Sequence, residues 1–316
     1  MPLPVTVVGG GIAGVACARA VSAAGLPVRL LDRAHRPGGR MAGRGMRGGR
    51  VVDIGASYLT ASEGSAFAGV VAGWVDRGLA RPWTDTFAVA GPGGVQRTTT
   101  GPVRYAAPGG LRSLVADLAA DVDVTVEHTV EQVRPGPTVD GEPVAAAVLA
   151  MPDPQAARLL DAGTAARLLG DRPWEPALAV VLGYDRRRWP ADLHGTFVHD
   201  DAAVTWIADD GDRRGDGAPV LVAHTTPDLA RRHLAEPDAA APVVAAAVAR
   251  ALGLDGEPAW TTVHRWTFAR PAEARDEPYG LLDGIGACGD GWAAPSRVEA
   301  AWTSGDALGR ALGAPA

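Results

Sequence analysis

The first 32 residues constrain this chain most. Pro4-Val-Thr-Val-Val-Gly-Gly-Gly-Ile-Ala-Gly14 is a short apolar strand pattern running straight into a glycine turn. Small apolar residues from Ile12 to Ala24 then suit a helix packed closely on a sheet, which Gly25 ends and Pro27 cannot continue. Val28-Arg-Leu-Leu31 predicts a second strand, closing a βαβ unit, with Asp32 at its end, 18 residues beyond Gly14. Gly9, Gly11 and Gly14 supply G-x-G-x-x-G, and Ala18 falls at the next close-packing position. Strand, turn, helix, strand and terminal acid in that order predict a Rossmann-like, dinucleotide-binding α/β fold. The first glycine permits the turn, the second lets a pyrophosphate approach the backbone, and the third brings helix and strand together. The helix start at Ile12 and Ala13 offers unpaired N–H groups to the phosphates. Asp32 suits ribose hydroxyls and disfavours a 2′-phosphorylated dinucleotide.

The composition narrows the remaining choices. A chain of 316 residues suggests about two structural units. With 47% apolar and 21% charged residues it has material for a core, and a net charge of −6 argues against a dedicated nucleic-acid binder. No apolar run reaches the roughly 20 residues of a bilayer span, and no basic stretch precedes an apolar one at the start. Cys17 and Cys288 form no C-x-x-C and cannot build a disulfide framework, so a cytoplasmic protein is expected. All 30 basic residues are arginine, and asparagine is absent. Schiff-base chemistry, a P-loop lysine, a lysine base and N-glycosylation are thereby excluded.

The segment after the βαβ unit distinguishes among dinucleotides. Asp32-Arg33 leads to Arg36-Pro-Gly-Gly-Arg-Met-Ala-Gly-Arg44 and then to Asp53-Ile-Gly-Ala-Ser-Tyr58. Here the chain resembles the flavin-containing amine oxidase superfamily, and within it most closely the renalase-like branch. The resemblance returns at Arg104-Tyr-Ala-Ala-Pro-Gly-Gly-Leu111, at Ala147-Val-Leu-Ala-Met-Pro152 and at His264-Arg-Trp-Thr-Phe-Ala-Arg-Pro271. It is clearest in Cys288-Gly-Asp-Gly-Trp292 followed by Arg297-Val-Glu-Ala-Ala-Trp-Thr-Ser-Gly305. It implies a noncovalent FAD, with Arg33, Gly39, Met41, Gly55, Ala56, Val130, Arg297 and Val298 among its contacts. Gly43 stands where relatives often carry serine or threonine. Five arginines lie between Arg36 and Arg50, but interleaved glycines and an acidic chain favour Arg40 as a pyrophosphate contact over a nucleic-acid patch.

Near the C-terminus, Gly289 allows close approach, and Asp290 could bond a ribityl chain or orient amides beside the phosphate. Ser296-Arg-Val-Glu299 has the form of a capping box and predicts a helix from Ser296. That helix is either a well-capped surface element or, as the resemblance implies, one whose positive end faces the flavin pyrimidine ring.

The cofactor domain is expected in residues 1–60, 104–155 and 283–316. The rest, 61–103 and 156–282, would form an α+β substrate domain on a mainly antiparallel sheet. Its strands are predicted at Ala177–Tyr184, Thr196–Ile207, Val220–Thr226 and Trp260–Phe268, with a helix at Val243–Leu252, a turn at Asp209–Gly215 and a solvated loop at Arg186–Arg188. The seven histidines form no H-x-H or H-E-x-x-H pattern, so no metal site is expected. Tyr58, Trp266 and Trp292 are candidate aromatic walls for a planar substrate, with core packing as the competing use, and His264 could orient that substrate. Many amine-oxidising relatives place a lysine near flavin N5, which this chain cannot supply. Renalase-like enzymes oxidise isomeric dihydronicotinamides, with oxygen as acceptor and hydrogen peroxide as product. The resemblance therefore implies hydride removal from a small reduced heterocycle. Amine oxidation and a flavoprotein without turnover are the alternatives.

Overall fold

A computed structural model describes residues 2–46, 49–273 and 275–314. The opening unit forms as its sequence dictates: β1 (Val5–Val8), α1 (Ile12–Ala23) and β2 (Val28–Leu31). All four residues of β1 are buried, because the strand lies inside a six-stranded sheet. Its parallel neighbours are β2, with Val5 beside Val28, and Ala146–Leu149, with Val5 beside Ala146. Continuous apolar strands of this kind belong where helices cover both faces. Val124–Thr125 extends the sheet beyond β2, and Ile285–Ala287 and Gly280–Leu282 extend it on the other side.

The last helix, Val298–Gly313, packs on α1 along glycines spaced four apart. A Cβ at Gly305 would fall 2.7 Å from the Ala13 carbonyl carbon, and one at Gly309 would fall 2.5 Å from the Cys17 oxygen. One at Gly313 would fall 2.5 Å from Ala24 Cβ. With no side chain between the backbones, the N-termini of both helices reach the same edge of the six-stranded sheet.

The second layer is a seven-stranded sheet in the order Trp260–Pro271, Trp174–Gly183, Val220–Thr225, Val204–Asp209, Gly195–Val198, Arg81–Gly91 and Gly94–Ala106. Neighbours run antiparallel except Gly195–Val198 beside Arg81–Gly91, which is parallel. Alternation sends Leu178, Val180, Leu182, Leu221 and Ala223 to one face, where helix Ala241–Leu252 covers them. Ala179, Val181, Val220 and Val222 point the other way, onto Val52 and Ile54. The chain is thus mixed α/β, a Rossmann-like layer joined to a mainly antiparallel one. Strand Gly94–Ala106 runs through position 104, and Gly280–Leu282 bonds in the first sheet rather than the second.

Three local expectations are corrected. The run Thr196–Ile207 is two strands, because Asp201 accepts bonds from the Ala203 and Val204 N–H groups and turns the chain between them. Residues after Asp209 form a buried helix, Asp210–Arg214, with Asp209 accepting from the Asp212 N–H at 3.0 Å. Arg187 and Arg188 are anchored rather than solvated, Arg187 on Asp209 at 2.6 Å and Arg188 on Asp185 at 2.9 Å. No helix among the described residues is long and apolar enough to cross a membrane.

Candidate functional site

The site grows from the end of β1. Gly9 has φ +114°, and a Cβ there would meet the Ala150 oxygen at 2.5 Å. A Cβ at Gly14 would overlap the Gly9 carbonyl, which seats α1 against the strand. Gly11 differs: beside it only the Gly39 Cα comes near, at 3.9 Å. Gly11 is also the N-cap of α1, whose first turn has neither a side-chain cap nor an acid, so its N–H groups lack intrahelical partners. Ile12 and Ala13 are buried there. Asp32 anchors the other side, with Oδ2 accepting from the Gly10 N–H at 2.6 Å and Oδ1 from the Ala34 N–H at 2.8 Å. Arg33, next to it, is exposed. Val130 is buried with Val8 and Leu31 at the same strand ends.

The Gly-Gly-Arg segment lies across this turn. Gly38 N–H donates to the Gly10 carbonyl at 2.8 Å, and Gly39–Met41 forms one turn of 3-10 helix with Met41 buried in the core. Ala56 N–H donates to the Arg40 carbonyl at 2.9 Å, and a Cβ at Gly55 would fall 2.8 Å from the Arg40 carbonyl carbon. The Arg40 fork grips Asp290, Nη1 at 2.9 Å and Nη2 at 2.6 Å, while Nη1 also donates to the Ala269 carbonyl at 3.1 Å. Its guanidinium lies 5.2 Å from the Trp174 ring centre. Residues 250 positions apart are thus joined by a two-pronged ion pair, a geometry that only arginine provides.

The expected capping box does not form. Ser296 Oγ donates to Asp290 at 2.6 Å, and Glu299 accepts instead from the Ser62 N–H at 2.9 Å and pairs with Arg297 at 2.8 Å. The helix starts at Val298 with Arg297 as an N-cap that contributes no side-chain bond. Its first N–H groups remain available, as those of α1 do. Gly289 N–H donates to Ser304 Oγ at 3.0 Å and ties the Gly-Asp turn to this helix.

Two matches to known families bear on what this arrangement holds. Residues 7–74 match the NAD(P)-binding Rossmann-like domain, and residues 64–307 match the flavin containing amine oxidoreductases. The chain belongs to the flavin-containing amine oxidoreductase family. It is accordingly an FAD-dependent oxidoreductase. A stretch of 68 residues is 41% identical to Lysine-specific histone demethylase 1 homolog 1 of Arabidopsis thaliana, covering 20% of this chain and 8% of that protein. Among solved structures, a putative protoporphyrinogen oxidase from Exiguobacterium sp. 255-15 superposes with TM-score 0.74 at 14% identity, over 99% of both chains. Cyclohexylamine oxidase from Brevibacterium oxydans IH-35A gives 0.76 at 13% identity, again over 99% of both. These structural likenesses establish the fold.

The residues of this flavin oxidoreductase fit its cofactor. Open space beside Gly11, two helix N-termini without side-chain caps and an acid at the end of β2 are what a diphosphate between two sugar-linked rings requires.

The substrate-side candidates differ among themselves. Trp266 Nε1 donates to the Ile54 carbonyl at 2.8 Å, and its ring meets His264 edge-on at 4.5 Å between centres. His264, Ala179 and His224 lie in one register row across three strands. Burial, aided by the Arg44 and Arg265 charges, lowers the His264 pKa; burial and Arg213 push that of His224 down to about 4. Both rings are therefore neutral near pH 7. Tyr58 belongs to an aromatic cluster, 5.3 Å from Phe87 and 5.7 Å from Trp206. Trp292 is buried beneath Arg275, whose guanidinium is 4.0 Å from its ring centre, in the core beside Leu168.

Sequence reasoning missed Trp174 and a buried ionic group linking the two layers, and gave Ser296 a capping role in place of its bond to Asp290. Arg213 is fully buried, pairs with Asp210 and donates to the Ser57 carbonyl at 2.9 Å. Arg50 holds Asp210 at 2.5 Å, and Arg214 holds Asp53 at 3.3 Å. The signal was visible in Asp209-Asp-Gly-Asp-Arg-Arg214, an Asp N-cap followed by acid–arginine pairs three and four apart. Among the described residues no group of three His, Cys, Asp or Glu is arranged to hold a metal ion.

Proposed function

We propose that this chain is a renalase-like oxidase or dehydrogenase that removes a hydride from a small dihydronicotinamide-type heterocycle. Its FAD would be held noncovalently. Cys17 and Cys288 are buried, and burial raises both thiols, that of Cys17 to about 12, which leaves neither as an attachment nucleophile. Gly9, Gly11, Ile12, Ala13 and Gly14 would face the pyrophosphate, with Asp32 and Arg33 on the adenosine side and Val130 beneath it. Gly39, Arg40, Met41, Gly55, Ala56, Gly289, Asp290, Arg297 and Val298 would complete the grip. The cofactor domain would be 1–60, 104–155 and 283–316, with 61–103 and 156–282 roofing the substrate.

Flavin, when bound, supplies the two-electron acceptor; the protein supplies orientation, neutrality and dryness. The observation that carries the reading is the absence of lysine together with histidines held neutral on the inward sheet face. A dihydropyridine that loses hydride becomes an aromatic cation at once, so no general base is required. Trp266, fixed by Ile54, would wall the substrate, His264 would orient it, and Tyr58 would border it. Trp292, packed in the core beneath Arg275, would take no direct part in that wall. Oxygen would be the final acceptor, giving hydrogen peroxide, in a cytoplasmic setting.

Amine oxidation is the second reading, favoured by the family itself. Anaerobic mixing with isomers of reduced nicotinamide and with amines separates the two. Rapid bleaching of the flavin's visible absorption by a dihydropyridine is expected; bleaching by amines alone would overturn the proposal.

A further inference from the structure

Among the described residues four arginines are buried: Arg104, Arg213, Arg214 and Arg275. Three have carboxylate partners, Arg213 in Asp210, Arg214 in Asp53 and Arg275 in Asp153. Arg104 is 6% exposed, and no carboxylate among the described residues lies within 4.0 Å of it. Nη1 donates to the Asp85 carbonyl. Its guanidinium lies over Phe87, 4.3 Å from the ring centre, and beside the Tyr58 hydroxyl. Nη2 lies next to Gly101, where a Cβ would come within 3.0 Å.

A buried guanidinium cannot discharge itself by losing a proton. A ring face and one carbonyl offset only part of the cost of taking it from water. A guanidinium without a carboxylate keeps the paired N–H spacing that carboxylate and phosphate oxygens match two at a time. Arg104 and Ala106 share the inward face of the sheet with Phe87 and Trp206. Tyr58 is two residues beyond Ala56, at the proposed flavin edge. We infer that Arg104 is the receptor for an anionic group, carboxylate or phosphate, on a planar substrate bordered by Tyr58. This inference rests on the proposed function, in which the substrate is small and planar.

The test is calorimetric titration of the oxidised FAD-bound protein with benzoate, phenyl phosphate and neutral benzamide. At least one anion should bind about tenfold or more tighter than benzamide, with the preference falling as salt rises. The better anion identifies the group. R104M should abolish the preference while leaving benzamide within about twofold, and R104K should restore part of it. If R104M does not fold, the wild-type preference and the R104K value still decide. Equal affinity for all three probes, or an anion preference unchanged in R104M or R104K, would overturn the inference. Dihydropyridine bleaching is a separate readout, whose failure would remove the hydride reading and leave the anion preference standing.

Discussion

Replacing Gly305 with alanine should destabilise the protein although alanine is the better helix former. In an exposed helix that exchange is worth about 1 kcal/mol in favour of alanine. At Gly305 the new methyl would stand 2.7 Å from the Ala13 carbonyl carbon and 2.9 Å from its Cα, and closer still to its oxygen. Ordinary contact begins near 3.4 Å, so the two helices must part by about 0.7 Å or more. The obstacle is backbone and cannot rotate away. Overpacking of this kind costs about 1–3 kcal/mol, and a backbone obstacle belongs at the upper end. The net loss should be about 2 kcal/mol, or roughly 3 °C in Tm for a chain this long. Because the same shift moves the start of Val298–Gly313, FAD affinity should fall several-fold as well. Gly69 is the internal control: it sits exposed in helix Ala66–Asp76 with nothing within 4 Å of its virtual Cβ. Gly69→Ala should stabilise by about 0.5–1 kcal/mol. Urea titration and thermal melting of both variants, with and without FAD, give the answer. A Gly305→Ala protein as stable as Gly69→Ala would refute close backbone packing as the device that aligns the two helix ends.

Arg40→Met should raise the Kd for FAD about tenfold or more by leaving Asp290 unmatched in the proposed cofactor grip; an unchanged Kd by fluorescence titration would remove Arg40 from the site. Arg213→Met should cost about 2–3 kcal/mol in urea unfolding because it removes the fully buried arginine of the pair with Asp210 and leaves that carboxylate to Arg50 and the more distant Arg214; an unchanged urea midpoint would remove the pair from the account. His224 should make stability pH-dependent. Its folded pKa is about 4 against 6.5 when unfolded, so the unfolded chain binds more protons between those values. Stability should therefore fall as pH drops from about 6.5 towards 4, by up to about 3 kcal/mol, and His224→Gln should flatten that segment of the curve.

The βαβ unit was legible because every signal in it is local: an apolar strand, a glycine turn, small helix residues and a terminal acid. The glycine stripe of the last helix was present in the sequence too. Its meaning depended on Ala13 and Cys17, about 290 residues away, and nothing local names a partner. Ser296 and Glu299 show the opposite failure, a correct local pattern overridden by better distant partners, Asp290 for the hydroxyl and Ser62 for the carboxylate. Asp209–Gly215 read as a turn because its acids and glycines are turn residues. Its burial is set by Arg50, Asp53 and Ser57 from another part of the chain. Arg40 was read as a pyrophosphate contact from the glycines around it; its match with Asp290 and its neighbour Trp174 required the fold.

The most direct test of the account is the flavin itself. Protein purified under native conditions, or stripped and titrated, should bind one equivalent of FAD and release it intact on denaturation. FMN, which lacks the adenylate that Asp32 and α1 are proposed to reach, should bind at least about a hundredfold more weakly. Equal binding of FMN and FAD, or no flavin binding at all, would contradict the claim that the N-terminal glycine turn and the last helix grip one dinucleotide.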